Sequence, residues 1–438
     1  MQVSSRTRTA LSGKFKYLKE PAIDGPPAER DPAVVARVSE TLLDISRNGM
    51  DAIRRYAREL DRWSDPGFEL SRRDIDQLCE QVPADVRDAL RLGRDRTRAF
   101  ATAQRERIQD AEFELEPGLV TGYRHIPLDR VGAYLPAGRF PLLSSPSMTV
   151  NVARTAGVGS VMACTPPQPD GRPHPGMVYA ADLCGADQIF VLGGVQALAA
   201  MAFGLIGDGP VDMLVGAGNA YVAEAKRQLF GAVAIDLLAG PSEVAVIADG
   251  QADPDIVAAD LLGQAEHGTD SPAALVTTSE DLGHAVIARA EAQLADLATA
   301  SIAGPAWRDH GSVIWAEDRE TAAALMDELA PEHLEIITGD DDFYFQRLRN
   351  YGSIFLGPWS TVAYSDKGMA GTNHVLPTAG RARYTGGLSV ARFLKTLTYQ
   401  RITREATPLL GEAVDVISRY EGMAAHRATA TRRLATYR

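Results

Sequence analysis

The spacing of apolar residues changes twice along this chain. Between residues 32 and 112 it is helical: Val34, Val35, Val38, Leu42, Leu43 and Ile45 recur on one stripe, and a second helical tract runs from Val82 to Ile108. The charged end of that tract, RDRTRAFATAQRERIQD, has the make-up of a solvated helix face. From Leu128 onward, short runs rich in Val, Ile and Leu alternate with longer amphipathic stretches. DRVGAYLP, SVMACTPP, QIFVLGG, VDMLVG and VAIDLLAG read as strands, with SMTVNVARTAGV, GMVYAADLCGA, QALAAMAFGLI and AYVAEAKRQLFG as the helices between them. The same rhythm resumes with EVAVIAD, AALVTTS, SVIWAED, LEIITG and SIFLG as strands. This alternation calls for parallel sheets covered by helices on both faces. The pattern therefore predicts an α/β fold of two Rossmann-like units that meet near residue 240. Residues 1 to about 30 are polar, contain Pro21, Pro26 and Pro27, and read as an arm. The tract Ala391–Arg438 reads as helical, with an amphipathic segment from Ala413 to Leu434.

One stretch, Ala239–Asp270, organises the rest. AGPSE is a Gly-Pro turn that carries a serine hydroxyl and a carboxylate. A strand follows. Asp253 then precedes Pro254, an N-cap followed by proline at the first helical position. Gly268 is placed to end that helix, and Gln264 and His267, three apart, share a face near its end. Such a pair can serve a metal ion or cap the helix.

Composition narrows the functional classes. The chain has 438 residues, 45% of them hydrophobic and 23% charged, which is globular composition with room for two or more domains. A net charge of −12 without a basic block argues against nucleic acid as a partner. Cys79, Cys164 and Cys184 show no CxxC spacing and are too few for a disulfide framework. No secretory h-region and no apolar run of about 18 residues is seen, so a soluble cytoplasmic protein that leaves membranes alone is expected.

Four further polar clusters are candidates for chemistry. PEHLE sets Glu332 beside His333, a pairing suited to proton transfer, or a solvent-facing loop. YSDKGMAGTNHVLPT carries Asp366, Lys367, Asn373 and His374 in a turn-rich loop. RYEGMAAHR puts Glu421 and His426 on the final helix, about 140° apart and so not on one face. LGGVQALA and VGAGNAYV supply Gly193, Gly194, Gln196, Gly216, Gly218 and Asn219 after strands; they are not a GxGxxG fingerprint and read equally as tight βα turns. Nitrogens from His267 and His426, an oxygen from Gln264 and the carboxylate of Asp366 would make a borderline zinc set.

AGPSEVAVIAD, DLLGQAEHG, PEHLEI, GTNHVLPT, GGVQALAAMAFG, GNAYVAEAKRQ and EGMAAH occur in the order found in the histidinol dehydrogenase family, and the resemblance runs from about residue 30 to the C-terminus. It implies an intertwined homodimer of two incomplete Rossmann-like domains with small helical terminal extensions. The divisions it implies are an arm over 1–30, one domain over 31–133 and 247–388, an NAD-side domain over 134–246, and a C-terminal unit over 389–438 that reaches the partner subunit. It also implies one zinc per subunit and NAD-dependent oxidation of a primary alcohol, through a bound aldehyde, to a carboxylate.

Carried over by position, Gln264 and His267 match zinc ligands, and His426 matches a ligand supplied by the other subunit. Glu332 and His333 match the catalytic acid–base pair. Ser242 and Glu421 match substrate contacts, beside the ligands and His333. Tyr134, Gln196 and Asn219 match NAD contacts. The family places an aspartate four residues before the glycine of GTNH; here that position is Lys367 and Asp366 lies five before. Asp366 is the expected fourth ligand, because a charged ammonium cannot bind zinc. YLPAGRFPLLSSPSM and RARYTGGLSVARFLKTLTYQ depart from the histidinol type and resemble the branch that oxidises 2,3-dihydroxypropane-1-sulfonate. Arg124, Arg139, Arg381 and Arg383 are candidates for an anionic substrate group or for surface solubility. The alternatives are a true histidinol dehydrogenase, a Cys164-based thiol enzyme, or an inactive member that acts as a binding protein.

Overall fold

A computed structural model describes residues 7, 9, 11–23, 31–65, 67–137 and 140–437. Arg139, Pro26 and Pro27 lie outside the described residues, as does half of the expected arm, whose Phe15–Lys19 forms a strand. Fourteen strands among the described residues form three sheets. The first sheet uses β4 (Arg130–Tyr134), β5 (Ser160–Thr165), β6 (Gln188–Val191), β7 (Met213–Val215) and β8 (Ala234–Ile235). They are parallel and ordered β6-β5-β4-β7-β8. The second uses β1 (Phe15–Lys19), β9 (Val244–Ala248), β10 (Ala273–Thr277), β11 (Gly311–Ala316), β12 (His333–Ile337) and β13 (Ser353–Leu356), ordered β1-β11-β10-β9-β12-β13. Its last five strands are parallel and repeat the order of the first sheet; only β1 runs antiparallel, at the edge.

The strands read as continuous apolar runs because both of their faces are covered. Val244, Val246 and Ala248 of β9 pack with the helices Pro254–Ala265, Glu280–Asp296 and Ala300–His310, while Ala245 and Ile247 point the other way, toward Arg319–Leu329 and Asp341–Arg347. The five-stranded sheet is covered in the same manner. Helix Pro32–Leu60 packs on one side with Gly194–Ala202 and Ala220–Leu229, and Ala84–Glu106 on the other with Val150–Ala156 and Pro175–Leu183. The segment 32–106, which the sequence reading grouped with 247–388, thus makes its core contacts with the sheet of residues 130–235.

Three local expectations are corrected. Leu394–Ile402, read as helical, is strand β14; Thr396, Thr398 and Tyr399 favour an extended chain, and it pairs along its whole length with β3 (Leu119–Pro127), which also pairs β2 (Ala111–Glu116). The amphipathic tract after Ala413 is broken: Gly422, at φ 74°, turns the chain between the helices Thr407–Tyr420 and Ala424–Tyr437. Glu421 and His426 therefore flank a turn and do not share the final helix. The helix that starts behind Asp253 ends at Ala265 with Glu266 as its C-cap, one turn before the expected Gly268. Asp253 does accept from Asp255 N, and Pro254 does open the helix.

A buried ion pair supports the loop after β7. Gly216 has φ 113°, and a Cβ there would lie 2.1 Å from Tyr134 O. Its N–H donates to Asp236 at 2.7 Å, and its carbonyl accepts from Lys226 at 2.9 Å. Lys226 and Asp236 also pair directly, both 2% exposed. Removing one partner leaves a buried charge uncompensated, so Lys226→Met should lower unfolding stability by about 3–5 kcal/mol, measured by denaturant titration.

Candidate active site

Ser242, Gln264, His267, Glu332 and His333 of the sequence-predicted residues converge at the amino-terminal edge of the six-stranded sheet. Ser242 and Glu243 precede β9, Glu332 precedes β12, and His333 is its first residue. Gln264 and His267 arrive at the same edge from the end of the helix that follows β9. Open parallel sheets ordinarily bind ligands at the opposite, carboxyl ends of their strands. The five-stranded sheet does present its carboxyl ends. Tyr134 closes β4, Gly193 and Gly194 follow β6, and Asn219 follows β7 as the N-cap of Ala220–Leu229, accepting from Tyr221 N and Val222 N at 3.1 Å. The two edges are joined directly: Ser144, downstream of β4, donates to the Asp366 carbonyl, and Asn373 Nδ2 donates to Met148 O at 2.8 Å.

Glu332 and Glu243 clasp each other. The Glu332 carboxylate accepts from Ser242 Oγ at 2.7 Å and from Glu243 N at 2.9 Å. In return the Glu243 carboxyl accepts from Glu332 N at 3.3 Å and from Ala379 N at 3.1 Å. Ser242 in turn accepts from Gln264 Nε2. Burial, with the Glu332 charge beside it, pushes the Glu243 carboxyl up to about 7.

His333 is 2% exposed. Its Nδ1 lies 2.9 Å from Glu243 O, and a carbonyl accepts only, so Nδ1 carries the proton in the neutral ring. Nε2 is buried and has no hydrogen-bond partner among the described residues; Asp366 Oδ1 stands 3.9 Å away. An orphaned ring nitrogen aimed into a polar cleft is placed to take a proton from something bound there. Burial by itself depresses the imidazole, but the charges of Glu332 and Asp366 and the Glu243 carbonyl outweigh it and lift His333 to about 9.

Asp366 faces this cluster while Lys367, next in the chain, is exposed. The His267 Nε2–Asp366 Oδ2 distance is 3.6 Å. Two ligands about 2.1 Å from one tetrahedral ion stand about 3.4 Å from each other, so the spacing fits a shared zinc. Gln264, by giving Nε2 to Ser242, keeps Oε1 as its cation-binding atom. The His267–Asp366 spacing fits zinc, while among the described residues no three or more His, Cys, Asp or Glu side chains gather as one metal-holding group. His374 is half-buried, and its Nδ1 lies 3.0 Å from Asp366 O, which fixes the backbone of that residue.

Glu421 and His426 are not part of this cluster within one chain. Both are exposed on the C-terminal helical hairpin. Of the arginines, Arg124 stands on β3 of the three-stranded sheet, away from this cluster and 3.8 Å from Asp110 just before β2, and Arg383 binds Glu328. Arg381 donates to Thr378 O at 3.1 Å, and Thr378 accepts from Gly240 N at 2.6 Å, next to the Ser242 turn. Cys164 is fully buried, and burial drives its thiol pKa far up, which removes the thiolate a nucleophile requires.

Sequence reasoning noted the carboxylate of Glu243 without giving it a role, and passed over Asp61, Asp260 and Glu335. Asp61 accepts from Gly193 N and from Gln196 Nε2, both at 2.9 Å, tying the end of Pro32–Leu60 to the loop after β6; Gly194 N donates to Tyr134 OH at 3.2 Å in the same place. A signal existed for Glu243 and Glu335: each is a lone acid set in an apolar strand sequence, where an ionisable group stays only with a partner.

The histidinol dehydrogenase family model matches residues 26–434, and the chain belongs to that family. It is 50% identical over 93% of its length to a histidinol dehydrogenase homolog of Ruegeria pomeroyi, covering 94% of that protein. It is 45% identical to the sulfopropanediol 3-dehydrogenase of the same organism, over 97% of each chain. The crystal structure of histidinol dehydrogenase from Elizabethkingia anophelis superposes with a TM-score of 0.88 at 32% identity, covering 94% of each chain. The protein is thus an oxidoreductase-family member with an α/β fold, and among its described residues no helix is long and apolar enough to cross a membrane.

The raised His333 pKa has a consequence for metal-free protein. Its contribution is fully present below the unfolded value of 6.5 and is lost as pH rises through about 9. The unfolding free energy of chelator-treated protein should fall across that window by on the order of 3 kcal/mol, and His333→Asn should flatten this slope in a pH series by calorimetry.

Proposed function

We propose that this protein is a zinc-dependent NAD oxidoreductase that oxidises a small polar primary alcohol to a carboxylate in two hydride steps, with 2,3-dihydroxypropane-1-sulfonate as the favoured substrate. The observation that carries the reading is the meeting of Gln264, His267 and Asp366 with the Glu332–His333 pair at one sheet edge. Gln264, His267, Asp366 and the partner subunit's His426 would hold the metal. Zinc would polarise the reacting oxygen, and NAD would accept each hydride.

The chain's own residues supply the rest. A cation held by Asp366 would offset one of the charges that raise His333 and so favour its neutral ring, whose Nε2 then takes the hydroxyl proton, with the tautomer held by Glu243 O. Glu332, oriented by Ser242 and the Glu243 amide, activates water against the retained aldehyde. Ser242 and the partner's Glu421 contact the substrate. Tyr134, Gln196 and Asn219 mark the NAD side, at the carboxyl ends of β4, β6 and β7. Arg381, beside the Ser242 turn, is the arginine best placed for a sulfonate.

We further propose a homodimer that shares its sites. The C-terminal hairpin exposes Leu409, Val416, Ile417, Tyr420 and Met423, and the three-stranded sheet exposes Phe113, Leu115 and Leu397. Apolar surface of this extent suits a partner subunit, and His426 lies on the same hairpin.

The substrate is tested by adding NAD and zinc and comparing NADH yield from dihydroxypropanesulfonate and L-histidinol. Two NADH per sulfonate diol, with little from histidinol, is expected; the reverse preference would make this a histidinol dehydrogenase, and none from either alcohol would leave a binding protein. In single-turnover assays His333→Asn should abolish the first oxidation, and Glu332→Gln should spare it relative to the second.

Site sharing predicts complementation. His333→Asn and His426→Ala homodimers should each be inactive. When subunits are mixed and exchanged, each heterodimer keeps one intact site, so activity should recover to about a quarter of wild type. No recovery after exchange verified by mass spectrometry would show that His426 serves its own chain.

A further inference from the structure

Glu335 sits two residues past His333 on β12 and is fully buried. Its Oε1 accepts from Val362 N at 2.9 Å, whereas Oε2 meets no N–H or O–H donor among the described residues. The adjacent residues Thr361 and Val362 donate one to each of two acids, which sets the carboxyl of Asp260 beside that of Glu335. Asp260 lies one turn before Gln264 on Pro254–Ala265, and it accepts from Thr361 Oγ1 at 2.9 Å. Thr361 and Val362 are the N-cap and first residue of the short helix Val362–Asp366. Three elements therefore meet at one carboxyl pair: the helix that carries Gln264 and leads to His267, the strand that carries His333, and the helix that ends in Asp366.

Neither carboxyl forms an ion pair among the described residues. Two buried carboxylates in contact repel and lose their hydration, whereas one proton held between them turns the contact into a hydrogen bond. Burial favours the protonated form at both positions. With that proton in place, each oxygen pair has a partner: Thr361 and Val362 outside, the shared hydrogen between.

We propose that the Asp260–Glu335 pair, joined by one shared proton, is a positioning device that sets the spacing of Gln264, His267, His333 and Asp366. This rests on the reading of those side chains as the metal and proton-transfer site. The pair touches neither substrate nor metal. It acts by locking a helix end, a strand start and a second helix to one another.

The test measures zinc affinity by chelator competition on the purified full-length protein, with calorimetric melting beside it. Glu335→Gln keeps the acceptor for Val362 and brings its own N–H to Asp260, so its zinc Kd should stay within roughly threefold of wild type. Asp260→Ala should weaken zinc by roughly tenfold or more, the cost typical of losing a residue that orients ligands. Thr361→Val, which leaves both carboxyls in place and so avoids a folding defect, should weaken zinc in the same direction by a smaller factor. An Asp260→Ala Kd equal to wild type would overturn the proposal, and so would a Glu335→Gln loss as large as that of Glu335→Ala. Wild-type protein that takes up no zinc would instead overturn the metal reading itself, and this inference with it.

Discussion

The site depends on keeping buried carboxyl groups at the start of two adjacent parallel strands. Glu243, Glu332 and Glu335 all lie at or inside the amino edge of β9 and β12 and are at most 5% exposed. Such groups are costly to bury, and each is compensated differently. Glu332 is held by a hydroxyl and a backbone amide, Glu243 by two backbone amides, and Glu335 by one amide and a neighbouring acid. The Glu243–Glu332 clasp is the constraint from which the rest follows. It holds the carboxylate, and through the Glu243 carbonyl it also sets which nitrogen of His333 is free.

This placement explains why the cleft uses opposite edges of two sheets with the same strand order. The five-stranded sheet offers the carboxyl ends of β4, β6 and β7, with helix N-termini and close-turning glycines that suit a phosphate-bearing ligand. The six-stranded sheet offers amino ends, where acids and imidazoles enter from strand starts and helix ends. One edge supplies backbone donors and the other supplies titratable side chains. The contacts of Ser144 and Asn373 across the gap join these two chemistries.

The C-terminal hairpin belongs to a different logic. Strand β14 adds to β3 and β2, and the two helices beyond it pack mainly on each other. Apolar residues stay outside, and so does His426. If the proposed dimer forms, this hairpin is the unit that would carry His426 to the partner subunit's site.

Much of this was legible in the chain itself. The βαβ rhythm, the Asp253–Pro254 helix start and the candidate pairs Gln264–His267 and Glu332–His333 follow from periodicity, capping and local spacing, which are short-range properties. The same short range misled at Leu394–Ile402, where cross-strand pairing with β3 decided the conformation, and at Gly422, where one left-handed residue split an otherwise amphipathic tract. Which of Lys367 and Asp366 faces the cluster was a question of direction that only the fold answers: the short helix Val362–Asp366 turns the aspartate toward His267 and leaves the lysine outside. Asp61 and Asp260 were invisible because their partners lie 132 and 101 residues away, whereas Glu335 showed only as an acid in an apolar strand, its partner 27 residues off. The sequence by itself determined which residue types could do the chemistry and which elements carry them. Tertiary structure alone decided which sheet edge they share, which imidazole nitrogen is free, and which acids hold the others in place, because those are consequences of long-range packing and of what a buried charge requires.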